Sequence, residues 1–145
     1  MGKTTSPPLA LTADERRCLE QLEDWEEEIR ELLTFIGPAT FVAHTQHDPD
    51  SGAWAKEART RLGTLKRDLH AEAKRVALRE QRRELNAAES SYYAPDIQHA
   101  SAYLTLHARS SKGEEWRQQL GHALSTIAYP LFQLKAKRDA SQHGG

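Results

Sequence analysis

The sequence predicts an all-α protein, folded as a four-helix bundle-like single domain. Ala, Leu, Glu, Arg and Gln are common, whereas aromatic residues make up only 7% of the chain, and this composition favours helices over strands. Apolar residues also recur at intervals of three and four, which places them on one face of a helix. We therefore predict helices over about residues 12–36, 53–86, 95–108 and 112–138.

The first predicted helix has clear start and stop signals. Thr12 and Glu15 stand at the spacing of a capping box, in which each side chain binds a backbone N–H at the helix start. Gly37 and Pro38 favour a stop, since Gly suits a helix end and Pro cannot continue a helix. The apolar residues between these signals form a heptad seam made of Leu11, Cys18, Leu22, Trp25, Ile29, Leu32 and Ile36.

The second predicted helix begins after a turn-forming loop and outlasts its own apolar seam. No apolar residue occurs from Arg79 to Glu84, although helix-favouring residues continue to Asn86. A helix over 53–86 is roughly 50 Å long, which is too long for a compact chain of 145 residues. We therefore expect a protruding arm, or a homodimer in which two long helices meet. Its seam comprises Ala55, Ala58, Leu62, Leu65, Leu69, Ala73 and Val76.

The last two predicted helices differ in their apolar pattern. Residues 90–94 read as a break, and Pro95 suits the first turn of the third helix. That helix is apolar on several faces, which is typical of a central helix or of one at an oligomer interface. The fourth helix opens on a capping box of Ser111 and Glu114. Pro130 is expected to kink or interrupt it, because proline lacks an N–H.

Charges are sorted by segment. Residues 12–36 hold nine acidic and three basic side chains, whereas residues 56–83 hold four acidic and ten basic side chains. Opposite charges beside apolar seams commonly set helix pairing, so we predict that the first two helices form a coiled-coil-like antiparallel hairpin, within one chain or between two.

The remaining charge predicts binding of another macromolecule. The favoured partner is a protein that contacts the charged helix faces. Nucleic acid along the basic face of the second helix is the alternative, since Lys and Arg bind phosphates. The second helix and the aromatic pair after it supply the predicted partner-binding residues, which are Arg75, Arg79, Arg82, Arg83, Tyr92 and Tyr93.

Histidines suggest a second alternative, a metal- or cofactor-dependent helical enzyme. His44, His47 and Asp50 have a spacing that suits a divalent metal within one loop. His99, Tyr103 and His107 share one helix face, but the two histidines are about 12 Å apart along the axis. That separation prevents them from sharing one zinc ion, and we predict no cofactor.

Bulk properties set the remaining expectations. We expect one helical domain over residues 12–138, with flexible tails at 1–11 and 139–145. Cys18 is the single cysteine, so no intramolecular disulfide forms. The sequence contains no recognisable signal peptide, transmembrane run or catalytic motif. These features favour a non-catalytic regulatory or interaction protein of the cytoplasm, with no membrane association.

Overall fold

The computed structural model describes residues 11–37, 53–104 and 113–143, and these residues form helices without any strand. The all-α prediction is therefore confirmed. The described helices, numbered in chain order, are α1 (Ala13–Phe35), α2 (Ala53–Gln81), α3 (Ala87–Tyr92), α4 (Ala94–Tyr103) and α5 (Gly113–His143).

The four longer helices pack in a ring. α1 packs extensively on α5, α5 on α4 and α4 on α2, while α2 makes a smaller contact with α1. The short α3 packs mainly against α1 and α4. Consequently α2 and α5 occupy opposite corners of the bundle, with their outer faces directed away from each other.

The first two helices do touch, but α1 packs chiefly on α5 and only a smaller part of it contacts α2. Pairing of these helices between two chains stays a prediction. Ion pairs join α1 to the last turns of α5, where Lys137 contacts Glu15 at 2.7 Å and Lys135 contacts Glu26 at 3.6 Å. The bases that neutralise α1 thus include residues far along the chain, outside the segment that carries the basic excess.

The start of α1 follows the prediction. The Thr12 hydroxyl accepts a hydrogen bond from the Glu15 N–H, and the Glu15 carboxylate accepts one from the Thr12 N–H at 2.9 Å. Burial of Glu15 raises its pKa, but hydrogen bonds from Lys137 and Thr12 outweigh that effect and leave the pKa below its usual value. All seven residues of the predicted seam are buried in the core.

The end of α2 differs from the prediction, which ran the helix to Asn86. The helix ends at Gln81, and Arg83 adopts a left-handed conformation with φ of 59°. The Arg83 N–H donates to the Glu80 carbonyl at 3.0 Å and the Glu84 N–H donates to the Arg79 carbonyl at 2.8 Å. These two bonds make a Schellman motif, and the chain turns back instead of forming an arm.

A further helix replaces the predicted break at residues 90–94. Asn86 and Glu89 form a capping box that starts α3, and Tyr93 separates α3 from α4. α4 ends at Tyr103, earlier than predicted. His107 and Ser111 lie outside the described residues.

α5 is longer than predicted. It reaches His143, so the predicted tail at 139–145 overlaps its last turns, and Pro130 lies inside it without ending it. Within the described ranges, none of the helices has the length and apolar character needed to cross a bilayer. The core-facing stripe of α5 is fully buried, at Trp116, Leu120, Ala123, Ile127 and Leu134.

Candidate interaction surface

The predicted partner-binding residues fall into two environments. Arg75, Arg79 and Tyr93 meet at a polar cluster between α2 and α3, which also contains Glu72 and Glu89. Arg82 and Arg83 are exposed at the turn that follows α2, and Tyr92 is half-buried against the core. The structure therefore brings only part of the predicted set together.

Glu72 is the first anion of this cluster. Arg75 binds it through two hydrogen bonds of 2.8 Å, and the Tyr93 hydroxyl donates to the same carboxylate. These hydrogen bonds hold the pKa of Glu72 below its usual value. Burial of Tyr93, together with its bond to Glu72, raises the pKa of the Tyr93 hydroxyl.

Glu89 is the second anion and is 9% exposed. Its carboxylate accepts hydrogen bonds from the Arg79 guanidinium at 2.9 Å and from the Asn86 N–H at 3.1 Å. Burial raises the pKa of Glu89, but Arg79, Asn86 and the nearby Arg75 outweigh burial and leave that pKa below its usual value. One carboxylate thus caps α3 and ties it to α2.

A polar cleft of about 350 Å³ borders this cluster, and the buried Cys18 lines it. Burial, followed by the charge of Glu89, raises the pKa of the Cys18 thiol to about 11. Since the thiolate is the reactive form, Cys18 is protonated and a poor nucleophile near neutral pH. Burial and the hydrogen bond to Glu72 raise the pKa of Tyr93, so its hydroxyl also stays protonated near neutral pH.

The outer face of α2 is different, because it carries exposed bases that form no ion pair with the described residues. Residues on the line farthest from the core follow one another at intervals of four and three, and every one of them is exposed. We call this line the basic stripe of α2. It consists of Lys56, Thr60, Gly63, Arg67, Ala71, Lys74 and Leu78.

The stripe contains no acidic residue. Within the described part of the chain, Lys56, Arg67 and Lys74 form no ion pair, and Arg67 reaches only the Thr64 hydroxyl at 3.5 Å. Arg82 and Arg83 are exposed in the turn that follows the helix. Residues 56–78 span about 33 Å of helix, so the surface is long and narrow.

Two other residues shape the stripe. Leu78 is 44% exposed at its C-terminal end and is the large apolar residue of the stripe. Gly63 lies near its centre, and a Cβ built there would meet nothing within 4 Å. Glycine costs a helix interior roughly 1 kcal/mol relative to alanine, and no neighbour within the described structure requires it.

Metal binding is not supported among the described residues, which contain no group of three His, Cys, Asp or Glu placed to hold an ion. His44, His47 and Asp50 lie outside the described residues, so that site stays a prediction. His99 is exposed, and Tyr103 stacks on His122 with ring centroids 5.1 Å apart.

The sequence indicates the stripe only in part, because its bases are sorted by segment. The predicted set joins the exposed Arg82 and Arg83 to Arg75 and Arg79, which are paired. Position relative to the apolar seam of α2 separates the exposed bases from the paired ones. Lys56 lies on the line opposite the seam and belongs with the exposed bases.

Comparison with known proteins found no matching family model, no similar curated protein and no similar solved structure.

Proposed function

We propose that this chain is a non-catalytic interaction protein, and that the basic stripe of α2 binds an acidic helical segment of a partner protein. The observation that carries the proposal is the set of exposed bases that form no ion pair within the described part of the chain. Lys56, Arg67 and Lys74 alternate with small residues on one helix line, so a second helix can approach closely while its acids reach the bases.

A protein partner is favoured over nucleic acid by the residues around the bases. Leu78 offers an apolar contact, which a phosphate backbone does not use but an amphipathic helix does. The neighbouring α1 exposes acids that form no ion pair with the described residues, and these repel a polyanion long enough to reach α1, whereas a single helix can lie along α2 alone. These acids are Glu20, Asp24, Glu27 and Glu31.

The polar cleft supports the non-catalytic part of the proposal. Its thiol and phenol, Cys18 and Tyr93, both have raised pKa values and retain their protons near neutral pH. Of the carboxylates that line it, Glu72 and Glu89 are engaged with Arg75 and Arg79. The pair between Arg79 and Glu89 holds α3 against α2.

The test is fluorescence anisotropy with two labelled probes at low and at physiological salt. One probe is an acidic amphipathic peptide with Glu at intervals of three and four and one Leu, and the other is duplex DNA. The double variant Arg67→Gln, Lys74→Gln removes two exposed bases from the stripe. We expect it to weaken peptide binding by about 5- to 30-fold, since each exposed ion pair contributes up to about 1 kcal/mol.

The matched control is Arg17→Gln, Arg30→Gln, which removes the same charge from exposed positions on α1. We expect this control to retain binding, and Leu78→Ala to weaken binding of the peptide alone. Equal losses in both double variants would show a general charge effect and contradict the proposal. Tighter binding of duplex DNA than of the peptide would replace the protein partner by nucleic acid.

A further inference from the structure

The outer face of α5 has no charge over most of its length. Between Arg117 and Lys135 the sequence contains no Asp, Glu, Lys or Arg, although such residues make up 28% of the chain. Within this stretch Tyr129 is 67% exposed and Phe132 is 70% exposed. No other large apolar residue in the described structure is as exposed, and exposed aromatic patches of this kind mark interaction sites.

These aromatics belong to a regular line on the helix. The residues of α5 farthest from its buried stripe follow one another at intervals of four and three, as in the seam of a coiled coil. We call this line the aromatic stripe of α5. It consists of Gln118, His122, Ser125, Tyr129, Phe132, Ala136 and Asp139.

The aromatic stripe is complementary to itself. If two copies lie antiparallel about a twofold axis between Tyr129 and Phe132, each Tyr129 meets the second copy's Phe132. The same register places Ser125 opposite Ala136, two small side chains that let the helices approach. It also places His122 opposite Asp139, a pair of complementary polarity. A parallel arrangement instead stacks each residue on its own copy and brings Asp139 against Asp139.

We propose that a second copy of this chain covers the aromatic stripe, as an antiparallel α5–α5 homodimer centred on Tyr129 and Phe132. This surface lies on the opposite side of the bundle from the basic stripe, so the two proposals stand or fall separately. Pro130 is buried on the core side of α5 and does not interrupt the stripe.

The size of the contact predicts its strength. Residues 118–139 span about 32 Å and a helix is about 10 Å wide, so the contact covers on the order of 300 Å² in projection on each copy. Tyr103 is 45% exposed and stacks on His122, which widens the surface. Two copies together cover on the order of 600 Å² in projection, below the roughly 1,000 Å² of a stable specific interface. We therefore expect a weak, reversible dimer that forms at high micromolar concentration.

Sedimentation velocity of the full chain over a range from about 5 to 500 μM tests association. We expect the mean mass to rise towards that of a dimer, and the variant Tyr129→Ala, Phe132→Ala to stay monomeric with an unchanged melting temperature. Leu78→Ala, which removes an exposed apolar side chain elsewhere, serves as the control and should associate normally. A wild-type chain that stays monomeric throughout, or a double alanine variant that still dimerises, would overturn the proposal.

Disulfide cross-linking tests the antiparallel register. Ser125→Cys, Ala136→Cys should form a covalent dimer on mild oxidation, whereas Ser125→Cys alone should not, because its two copies lie far apart. Thr60→Cys, Ala71→Cys on α2 has the same spacing and exposure and is the matched control. The buried Cys18 does not compete. Efficient cross-linking of Ser125→Cys alone would show a parallel pair and contradict the register.

Discussion

The basic side chains of α2 fall into two groups that differ in availability. Arg75 and Arg79 bind Glu72 and Glu89 and hold α3 in place. Lys74, beside Arg75 in sequence, is exposed on the outer face and pairs with no acid among the described residues, and the same holds for Lys56 and Arg67. A count of charges in the segment treats the two groups alike. What distinguishes them is whether an acid lies within reach. For Arg75 this acid is Glu72, one turn earlier in α2, and for Arg79 it is Glu89, which the turn after α2 brings close.

The largest expected effect comes from breaking the paired group with Glu89→Gln. This change removes the charge from a buried carboxylate and leaves Arg79 without its partner, so we expect a loss of about 2 kcal/mol in the free energy of unfolding. Urea denaturation provides the measurement. Glu84→Gln, an exposed change in the same turn, is the control and should cost less than about 0.5 kcal/mol. Equal losses would mean that the cluster does not stabilise the fold.

Low pH should weaken the ion pairs of the carboxylates that have lowered pKa values, including those that bind Arg75 and Arg79. The pKa values of Glu15, Glu72 and Glu89 are lowered in the folded chain, so the unfolded chain binds protons first. Their stabilisation is complete above the ordinary pKa of 4.5 and is lost as pH falls through the lowered values. Asp96, whose pKa is raised by burial, opposes this trend in part.

We therefore expect the melting temperature to fall as pH is lowered from 6 to 3, and to fall less steeply in Glu89→Gln. Circular dichroism at several pH values checks both slopes. A wild-type melting temperature that is constant or rises in acid would contradict this assignment of the carboxylates.

Gly63→Ala tests the basic stripe, which contains the unpaired bases, by adding a methyl group near its centre. Because a Cβ at this position meets open space, we expect alanine to stabilise α2 by roughly 0.5–1 kcal/mol. Gly121→Ala on α5, where a Cβ also meets open space, should stabilise the chain similarly. Only Gly63→Ala should weaken binding of the acidic peptide, since it thickens the basic stripe. Unaltered peptide binding would show that the partner does not approach this point.

The smallest effect on stability is expected for Arg67→Gln, Lys74→Gln. Neither side chain pairs with an acid in the described structure, so we expect a change within about 0.5 kcal/mol, measured by thermal and urea unfolding. A loss above about 1 kcal/mol would place these bases with the paired group.

Local signals in the sequence were sufficient for α1, whose cap, seam and end all match. They were insufficient for the end of α2, because the left-handed position of its Schellman motif holds Arg83 where glycine is the usual residue. The start of α3 could be predicted from the sequence, since Asn86 and Glu89 have the same capping-box spacing as Thr12 and Glu15. The predicted second helix covers this start because helix-favouring residues continue through the turn after Gln81.

The sequence does not determine which helices pair. The seam of α1 suits either α2 or α5, and the choice depends on how the seams and charges of both pack in three dimensions. Lys135, Lys137 and Arg138 lie at the end of α5, more than a hundred residues after the acids that they meet. The basic stripe could be predicted as far as it follows one face of a single helix. Which bases are paired could not be predicted where a turn brings the acid close, as it does for Arg79 and Glu89.

The first turn of α2 contains no acidic residue, and bases follow its end at Arg82 and Arg83. The helix macrodipole places about half a positive charge at its N-terminus and half a negative charge at its C-terminus. The positive potential of the basic stripe is therefore reinforced near Lys56 and reduced towards Leu78. A helical partner gains most by directing its own negative C-terminus towards Lys56, so the surface favours one orientation of the bound helix, antiparallel to α2.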